Sequence, residues 1–78
     1  MSAADLVGSA GVATLLLAFL LNLFGFLGRE SRLYQALNAA GAALAGWASW
    51  RIGFWPFVVL ESTWFLVAAF ALARPRPA

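Results

Sequence analysis

The segment Gly53–Ala73, GFWPFVVLESTWFLVAAFALA, decides how the rest of the chain is interpreted. Pro56 and the long apolar run that follows it predict a membrane-spanning helix over residues 56–73. A single acid, Glu61, lies about two turns inside this helix. An ionisable group at that depth in lipid must face a partner helix, a polar cavity or another charge. Glu61 is therefore the first candidate for a functional residue.

The composition favours a small membrane protein with a single domain. Of 78 residues, 64% are hydrophobic and only 10% are charged, and the chain has no Cys or His. A water-soluble domain of this size needs a larger charged surface than these residues can supply. Without Cys and His, zinc binding, haem ligation and nucleophile–base catalysis lose their usual residues, so we expect no enzyme, no catalytic residues, no metal site and no cofactor. The arginines form no basic stripe, so we expect no nucleic-acid partner.

Two further helices precede this segment. The first covers about residues 6–28, which carry no charge over roughly 34 Å and can cross a hydrocarbon core of about 30 Å. The second covers about residues 32–52, with Ser31 as its N-cap. The sequence therefore predicts an all-α membrane protein, in which residues 1–78 form one domain of three transmembrane helices in a compact bundle.

Small residues dominate the second helix, and aromatic residues mark its ends. Alanines and a glycine repeat the small-xxx-small spacing that lets helix backbones approach closely, which predicts helix-packing positions at Ala36, Ala39, Ala40, Ala42, Ala43 and Gly46. Gly8, Gly11, Gly25 and Gly28 are interpreted as close-packing positions of the first helix. Aromatic side chains near the ends of helices are typical of the membrane interface, and we expect such a belt at Tyr34, Trp47, Trp50 and Trp55.

Three interpretations of Glu61 remain open. One is a proton or cation site within the membrane. The second is an ion pair with Arg51, which lies about one turn nearer the surface on the second helix and is long enough to reach the carboxylate. The third is a neutral carboxyl group, since burial in an apolar medium disfavours the charged form.

Asn22 and Asn38 form a second polar pair, because each lies about two turns from the first connection. An interhelical hydrogen bond between them is the favoured interpretation, and a polar lining of a transport path is the alternative.

The arginines predict the orientation of the chain in the membrane. Three crossings place the first connection and the C-terminus on one side, which holds four of the five arginines: Arg29, Arg32, Arg74 and Arg76. Arg51 is on the other side. The positive-inside rule then predicts a cytoplasmic C-terminus and a periplasmic N-terminus. The Ala- and Arg-rich, Lys-free composition is typical of a GC-rich bacterial genome, so the expected location is the bacterial inner (plasma) membrane.

The arrangement of three short helices resembles the SemiSWEET and PQ-loop half-transporters. Gly8 matches an apolar-Gly pattern of that family, and Phe19-Leu20-Leu21-Asn22 stands where the family has Phe-Leu-Pro-Gln. Pro56 matches a family proline, while Glu61 stands at the position of a sugar-binding Asn and Ala45 at that of a substrate-binding Trp. The stretches SRLYQALNAAGA (31–42) and WPFVVLESTW (55–64) are more similar to a family of small bacterial three-helix membrane proteins of unknown function.

The first resemblance implies the helix order 1-3-2 and a parallel dimer for any transport role, whereas the short connections equally allow a plain 1-2-3 bundle. Two functional hypotheses follow. The first is a non-enzymatic accessory or structural subunit that packs against other transmembrane helices in a larger membrane complex or a homo-oligomer. The second is a SemiSWEET-like dimeric transporter or channel for a small solute, proton-linked through Glu61.

Overall fold

Three α-helices make up the described part of the chain, residues 2–74 of a computed structural model. The sequence predicted three helices in a compact bundle, and this prediction is confirmed. The helices are α1 Ala3–Leu23, α2 Arg32–Arg51 and α3 Trp55–Ala73. The helix stop expected at the C-terminal prolines and the charge of Arg76 lie outside the described residues.

The helix α1 begins earlier than the sequence analysis predicted, because Ser2 and Asp5 form a capping box. The Ser2 hydroxyl oxygen accepts from the Asp5 backbone N–H at 3.0 Å, and the Ser2 N–H donates to the Asp5 carboxylate at 3.2 Å. This reciprocal pair satisfies backbone donors that the first turn of a helix otherwise leaves free. The polar residues before Leu6 are therefore the start of the helix.

The helix α1 also ends earlier than predicted, at Leu23 instead of near Gly28. Gly25 adopts a left-handed backbone with φ of 83°. Its N–H bonds to the Asn22 carbonyl at 3.1 Å, and the Phe26 N–H bonds to the Leu21 carbonyl at 2.8 Å. These two bonds form a Schellman motif, which satisfies the last carbonyls and turns the chain out of the helix. Gly25 thus ends α1, and neither Gly25 nor Gly28 is a close-packing position.

The same motif ends α2. Gly53 has φ of 74°, and its N–H and that of Phe54 bond to the carbonyls of Trp50 and Ser49. The connection is short, and α3 begins at Trp55. Pro56 lies in the first turn of α3, where its missing N–H removes no helical hydrogen bond.

The helix α2 lies between α1 and α3, so the helix order is 1-2-3. The backbones of α1 and α3 each approach α2 closely, and within residues 2–74 they make no close approach to each other. The 1-3-2 order implied by the SemiSWEET resemblance is therefore wrong. The physical reason is that short connections make successive helices antiparallel neighbours, and the small residues of α2 let both of them approach.

Glycines allow the backbones of α1 and α2 to touch. A Cβ added at Gly11 would lie 2.6 Å from the Ala45 nitrogen and 2.8 Å from the Gly41 carbonyl oxygen. A Cβ added at Gly41 would in turn lie 2.9 Å from the Gly11 carbonyl oxygen, and one at Gly8 would lie 3.1 Å from the Ala48 Cβ. The expected close-packing role of Gly8 and Gly11 is thus seen in the structure.

Only part of the predicted packing surface of α2 faces another helix. Ala42 is buried, and Ala39 and Gly46 are half-buried, but the remaining predicted positions, Ala36, Ala40 and Ala43, are exposed. The buried face of α2 contains instead Asn38, Gly41, Ala42, Ala45, Ala48 and Ser49. Small-xxx-small spacing occurs on several faces of so alanine-rich a helix, so spacing alone did not identify the buried one.

Large and small side chains are distributed in the opposite way to a water-soluble domain. The buried apolar residues are all alanines, and no large side chain is completely buried within the described residues. Leucine, phenylalanine, valine and tryptophan side chains instead cover the outside, as at Leu23, Phe26 and Phe70, which are 61%, 76% and 66% exposed. The helices α1 and α3, with mean hydropathies of 2.1 and 1.8, are long and apolar enough to cross a membrane. The helix α2 does not reach that level, so the expected third crossing is not established.

We expect Gly11→Ala to destabilise the bundle by about 1–3 kcal/mol, because the added methyl group must push the α1 and α2 backbones apart. Gly28→Ala is the matched control, since a Cβ there meets nothing within 4 Å. Thermal unfolding in mild detergent, followed by circular dichroism, measures both. Equal stability of the two variants would contradict a Gly11–Gly41 backbone contact.

Candidate functional site

Glu61 is the buried acid of the described chain, with only 6% of its surface exposed. It lies on the face of α3 that contacts α2, where a Cβ added at Gly46 would be 3.3 Å from the Glu61 Cβ. The glycine therefore leaves room for the acid between the two helices. The Glu61 Oε2 atom is enclosed and has no hydrogen-bond partner within residues 2–74. An enclosed oxygen without a partner is costly, because a buried polar group normally has one.

Arg51 does not supply that partner. Its side chain is exposed at the end of α2, and its guanidinium carbon lies 5.5 Å from the centre of the Trp47 ring. A cation over the face of an indole ring is a favourable arrangement in its own right. The ion pair expected between Arg51 and Glu61 is not formed in the described residues, because the arginine packs on its own helix.

A groove between α1 and α3 leads to Glu61. Because α1 and α3 do not contact each other, they leave an open space of about 480 Å³ between them, along one side of α2. Its floor consists of Ala45, Ala48 and Ser49 of α2. Its walls are formed on the α1 side by Gly8, Val12 and Leu16, among others, and on the α3 side by Phe57 and Glu61. The groove is thus mostly apolar, with a floor of small residues and two carboxyl groups, the buried one of Glu61 and the one of Asp5, which caps the start of α1.

The chemistry available in this α1–α3 groove is limited and specific. A carboxyl group can accept a hydrogen bond, donate one when protonated, or pair with a cation. No group of three or more acidic, Cys or His side chains within residues 2–74 could hold a metal ion. The groove can therefore hold a proton, a single cationic group or a hydrogen-bond donor, in surroundings that suit an apolar helix or molecule.

Asn38 and Trp64 form a hydrogen bond between α2 and α3 that the sequence analysis missed. The Trp64 indole N–H donates to the Asn38 side-chain oxygen at 2.9 Å, and the Asn38 amide donates to the Tyr34 carbonyl at 2.8 Å. Asn38 is 6% exposed, so both its oxygen and its amide are used inside the bundle. The available signal was Trp64 itself, since an indole N–H that lies against another helix in an apolar medium needs an acceptor.

Asn22 does not meet Asn38, so the predicted bond between these two residues is wrong. The Asn22 amide donates at 2.9 Å to the Leu27 carbonyl in the connection after α1. The physical reason is local: α1 ends one residue later, and Asn22 satisfies a carbonyl of the turn that follows. The predicted belt residues lie at the ends of helices, with Trp47, Trp50 and Trp55 exposed at the Arg51 end and Tyr34 half-buried at the other.

The chain belongs to an uncharacterised protein family, whose model matches residues 4–77. No curated protein sequence and no solved structure matches the chain significantly. The expected likeness to the SemiSWEET and PQ-loop half-transporters thus finds no support among known proteins, and the central position of α2 differs from the helix order it implied.

The two polar pairs of this region should behave differently in double-mutant cycles. We expect Asn38→Ala and Trp64→Phe to be coupled by about 0.6 kcal/mol, a typical value for a hydrogen bond between membrane helices. Arg51→Gln and Glu61→Gln should be additive within about 0.5 kcal/mol, because these residues share no contact. Unfolding of the single and double variants in detergent measures both. Coupling of Arg51 with Glu61 would show that the ion pair forms, and additivity of Asn38 with Trp64 would exclude their hydrogen bond.

Proposed function

We propose that this protein is a non-enzymatic integral membrane protein that acts by helix packing, and that its α1–α3 groove receives a transmembrane helix of a larger membrane complex. The observation that carries the proposal is Glu61, which forms part of the wall of an open groove and whose enclosed Oε2 atom has no partner within residues 2–74. The bound helix presents a hydrogen-bond donor or a cationic group to the Glu61 carboxyl group.

The surface of the bundle supports placement in the bilayer. Large apolar side chains cover the outside, and the hydroxyl groups of α1 and α3 at Thr14 and Thr63 donate to carbonyls of their own helices at 2.7 and 2.9 Å. Hydrocarbon offers no partner to a polar group, so internal bonding of these two threonine hydroxyls suits a lipid-facing surface. In this proposal α2, which packs between α1 and α3, crosses the membrane with them.

The shape and polarity of the groove favour a helix as its occupant. Lipid tails would fill the space but would leave the Glu61 oxygen without a partner. Association of helices in membranes relies on small residues that let backbones approach and on polar side chains that bond across the interface. The groove supplies both, with Gly8, Ala45 and Ala48 as small residues and Glu61 as the buried acid among its polar ones.

Filling the groove should abolish assembly without unfolding the bundle. Val12 and Val59 are 49% and 65% exposed, and only Val12 lines the groove. We expect Val12→Trp to lose the partner on purification from native membranes in mild detergent, while the matched control Val59→Trp keeps it. Glu61→Gln, which retains an acceptor oxygen, should keep the partner, and Glu61→Leu should lose it. Mass measurement of the intact assembly identifies the partner and shows whether it is a second copy of the chain.

Retention of the assembly in Val12→Trp would contradict the proposal, as would isolation of a protein without any partner.

A second candidate, a dimeric transporter or channel, is favoured by one observation: Glu61 also lines a smaller groove of about 220 Å³ on the other side of α3, beside Gly46, Ser62 and Phe65. A carboxyl group reached from two sides can pass on a proton. Saturable solute or proton flux into liposomes that disappears in Glu61→Ala would establish this alternative over the packing role.

The orientation proposed for the protein places the Arg29 end in the cytoplasm of a bacterial cell and the Arg51 end outside. A cysteine introduced at Ser31, in the connection before α2, should therefore resist a membrane-impermeant thiol reagent in intact cells and react after lysis. A cysteine introduced in the other connection is the positive control and should react in intact cells. Phe54→Cys is the better choice for this control, because Gly53 has a left-handed backbone that a substitution would strain. If the Ser31 variant is labelled in intact cells, the orientation is the opposite of the one proposed.

A further inference from the structure

A second crevice, separate from the α1–α3 groove, opens between α2 and α3 at the Arg29 end of the bundle. Its space is about 290 Å³. Arg29, Tyr34 and Gln35 line its mouth at that end. Farther along the bundle it is lined by the buried Asn38 and Ala68 and by the exposed side chains of Trp64 and Val67. At about 1.5 Å per helical residue, Trp64 lies roughly 13 Å from the end of α3, so the crevice runs from the surface toward the middle of the bundle.

Hydrogen bonds hold the walls of this crevice in place. The buried Asn38 side chain binds the Trp64 indole N–H, which fixes α3 against α2 at the deep end. At the mouth, the Gln35 amide donates to the Arg29 backbone carbonyl at 2.8 Å. That bond secures the backbone of the connection and leaves the Arg29 guanidinium free of it. The crevice is therefore built before any ligand enters.

The charges of the bundle are concentrated around this mouth. Within residues 2–74, the same end holds Arg29, Arg32 and Arg74 with Glu30, whereas the opposite end holds Arg51 with Asp5. Arg32 donates to the Leu72 carbonyl at 3.4 Å, which places its charge at the C-terminal end of α3. The Arg29 end is thus positive, and the opposite end is balanced.

We propose that this α2–α3 crevice binds an anionic glycerophospholipid, with the headgroup phosphate at Arg29, Tyr34 and Gln35 and one acyl chain along Trp64 and Val67. A guanidinium group beside hydroxyl and amide donors suits a phosphate, and an apolar continuation suits a chain. Basic pockets between membrane helices on the cytoplasmic side recognise anionic headgroups in this way. The inference rests on the proposed membrane placement and is independent of what fills the α1–α3 groove.

Trp64 provides the reporter for the test. The chain has four tryptophans, and the other three lie at the Arg51 end, so the triple variant Trp47→Phe, Trp50→Phe, Trp55→Phe reports on the crevice alone. This chain is placed in phosphatidylcholine vesicles that contain a minor fraction of brominated phosphatidylglycerol or, for comparison, brominated phosphatidylcholine. We expect the anionic quencher to occupy the site about fivefold more readily, which is the effect of one arginine near a headgroup of net negative charge, since the choline cation cancels the same phosphate charge in phosphatidylcholine.

Two arginine variants separate a site from general surface charge. Arg29→Gln should bring the two quenchers close to parity, whereas Arg74→Gln removes the same charge from the same end without touching the crevice and should leave most of the preference. The measurement is made at physiological ionic strength, where charges more than about 8 Å apart are largely screened. Retention of phosphatidylglycerol over phosphatidylcholine by the unmodified chain, seen by native mass spectrometry, checks that the tryptophan substitutions are harmless.

Equal quenching by the two lipids, or equal losses in Arg29→Gln and Arg74→Gln, would overturn the proposal. Displacement of the anionic lipid by inorganic phosphate would assign the crevice to free phosphate and would also overturn it. Flotation with neutral vesicles distinguishes the two proposals: a chain that floats but shows no lipid preference refutes the lipid site alone. A chain that does not float refutes the membrane placement and the lipid site together.

Discussion

The backbone contact between Gly11 of α1 and Gly41 of α2 is the constraint on which the rest of the bundle depends. Each glycine lies where a Cβ would be within 3 Å of the opposite helix, so the two helices touch main chain to main chain. Such contacts bring many atoms within van der Waals range without any large side chain between them. This is how a chain whose buried apolar residues are all alanines can hold three helices together.

The close approach of α1 and α2 also determines where the groove lies. The small residues on the α1-facing and α3-facing sides of α2 draw both neighbours in, and α1 and α3 are then too far apart to cover the surface between them. That uncovered surface is the floor of the groove, Ala45, Ala48 and Ser49. Packing that stabilises the pairs α1–α2 and α2–α3 thus leaves an apolar groove beside a buried acid.

The polar groups of the interior divide into those that are satisfied and one that is not. Asn38 is bonded to both Trp64 and the Tyr34 carbonyl, and Asn22 closes the turn after α1. The helices α1 and α2 are closed by side-chain caps at their N-termini and by Schellman motifs at their C-termini. Against this background the enclosed Glu61 oxygen is the exception in residues 2–74. An unsatisfied buried group costs stability that packing could have avoided, which is the basis of the packing role that we propose.

The sequence by itself determined the number and rough extent of the helices, the buried acid and the polar character of Asn38, because these follow from hydrophobic length, proline and glycine placement and composition. It also contained the signals for the true ends of α1, which are the capping residues Ser2 and Asp5 and the turn residue Gly25. The length of the apolar run placed both ends a few residues too late. Only the tertiary structure decided the order of the helices, the partner of Asn38, the position of Arg51 over Trp47 and the existence of the groove. These features depend on which face of each helix turns inward. An alanine-rich helix such as α2 offers small residues on several faces, so the choice is made by contacts across the bundle that no single segment encodes.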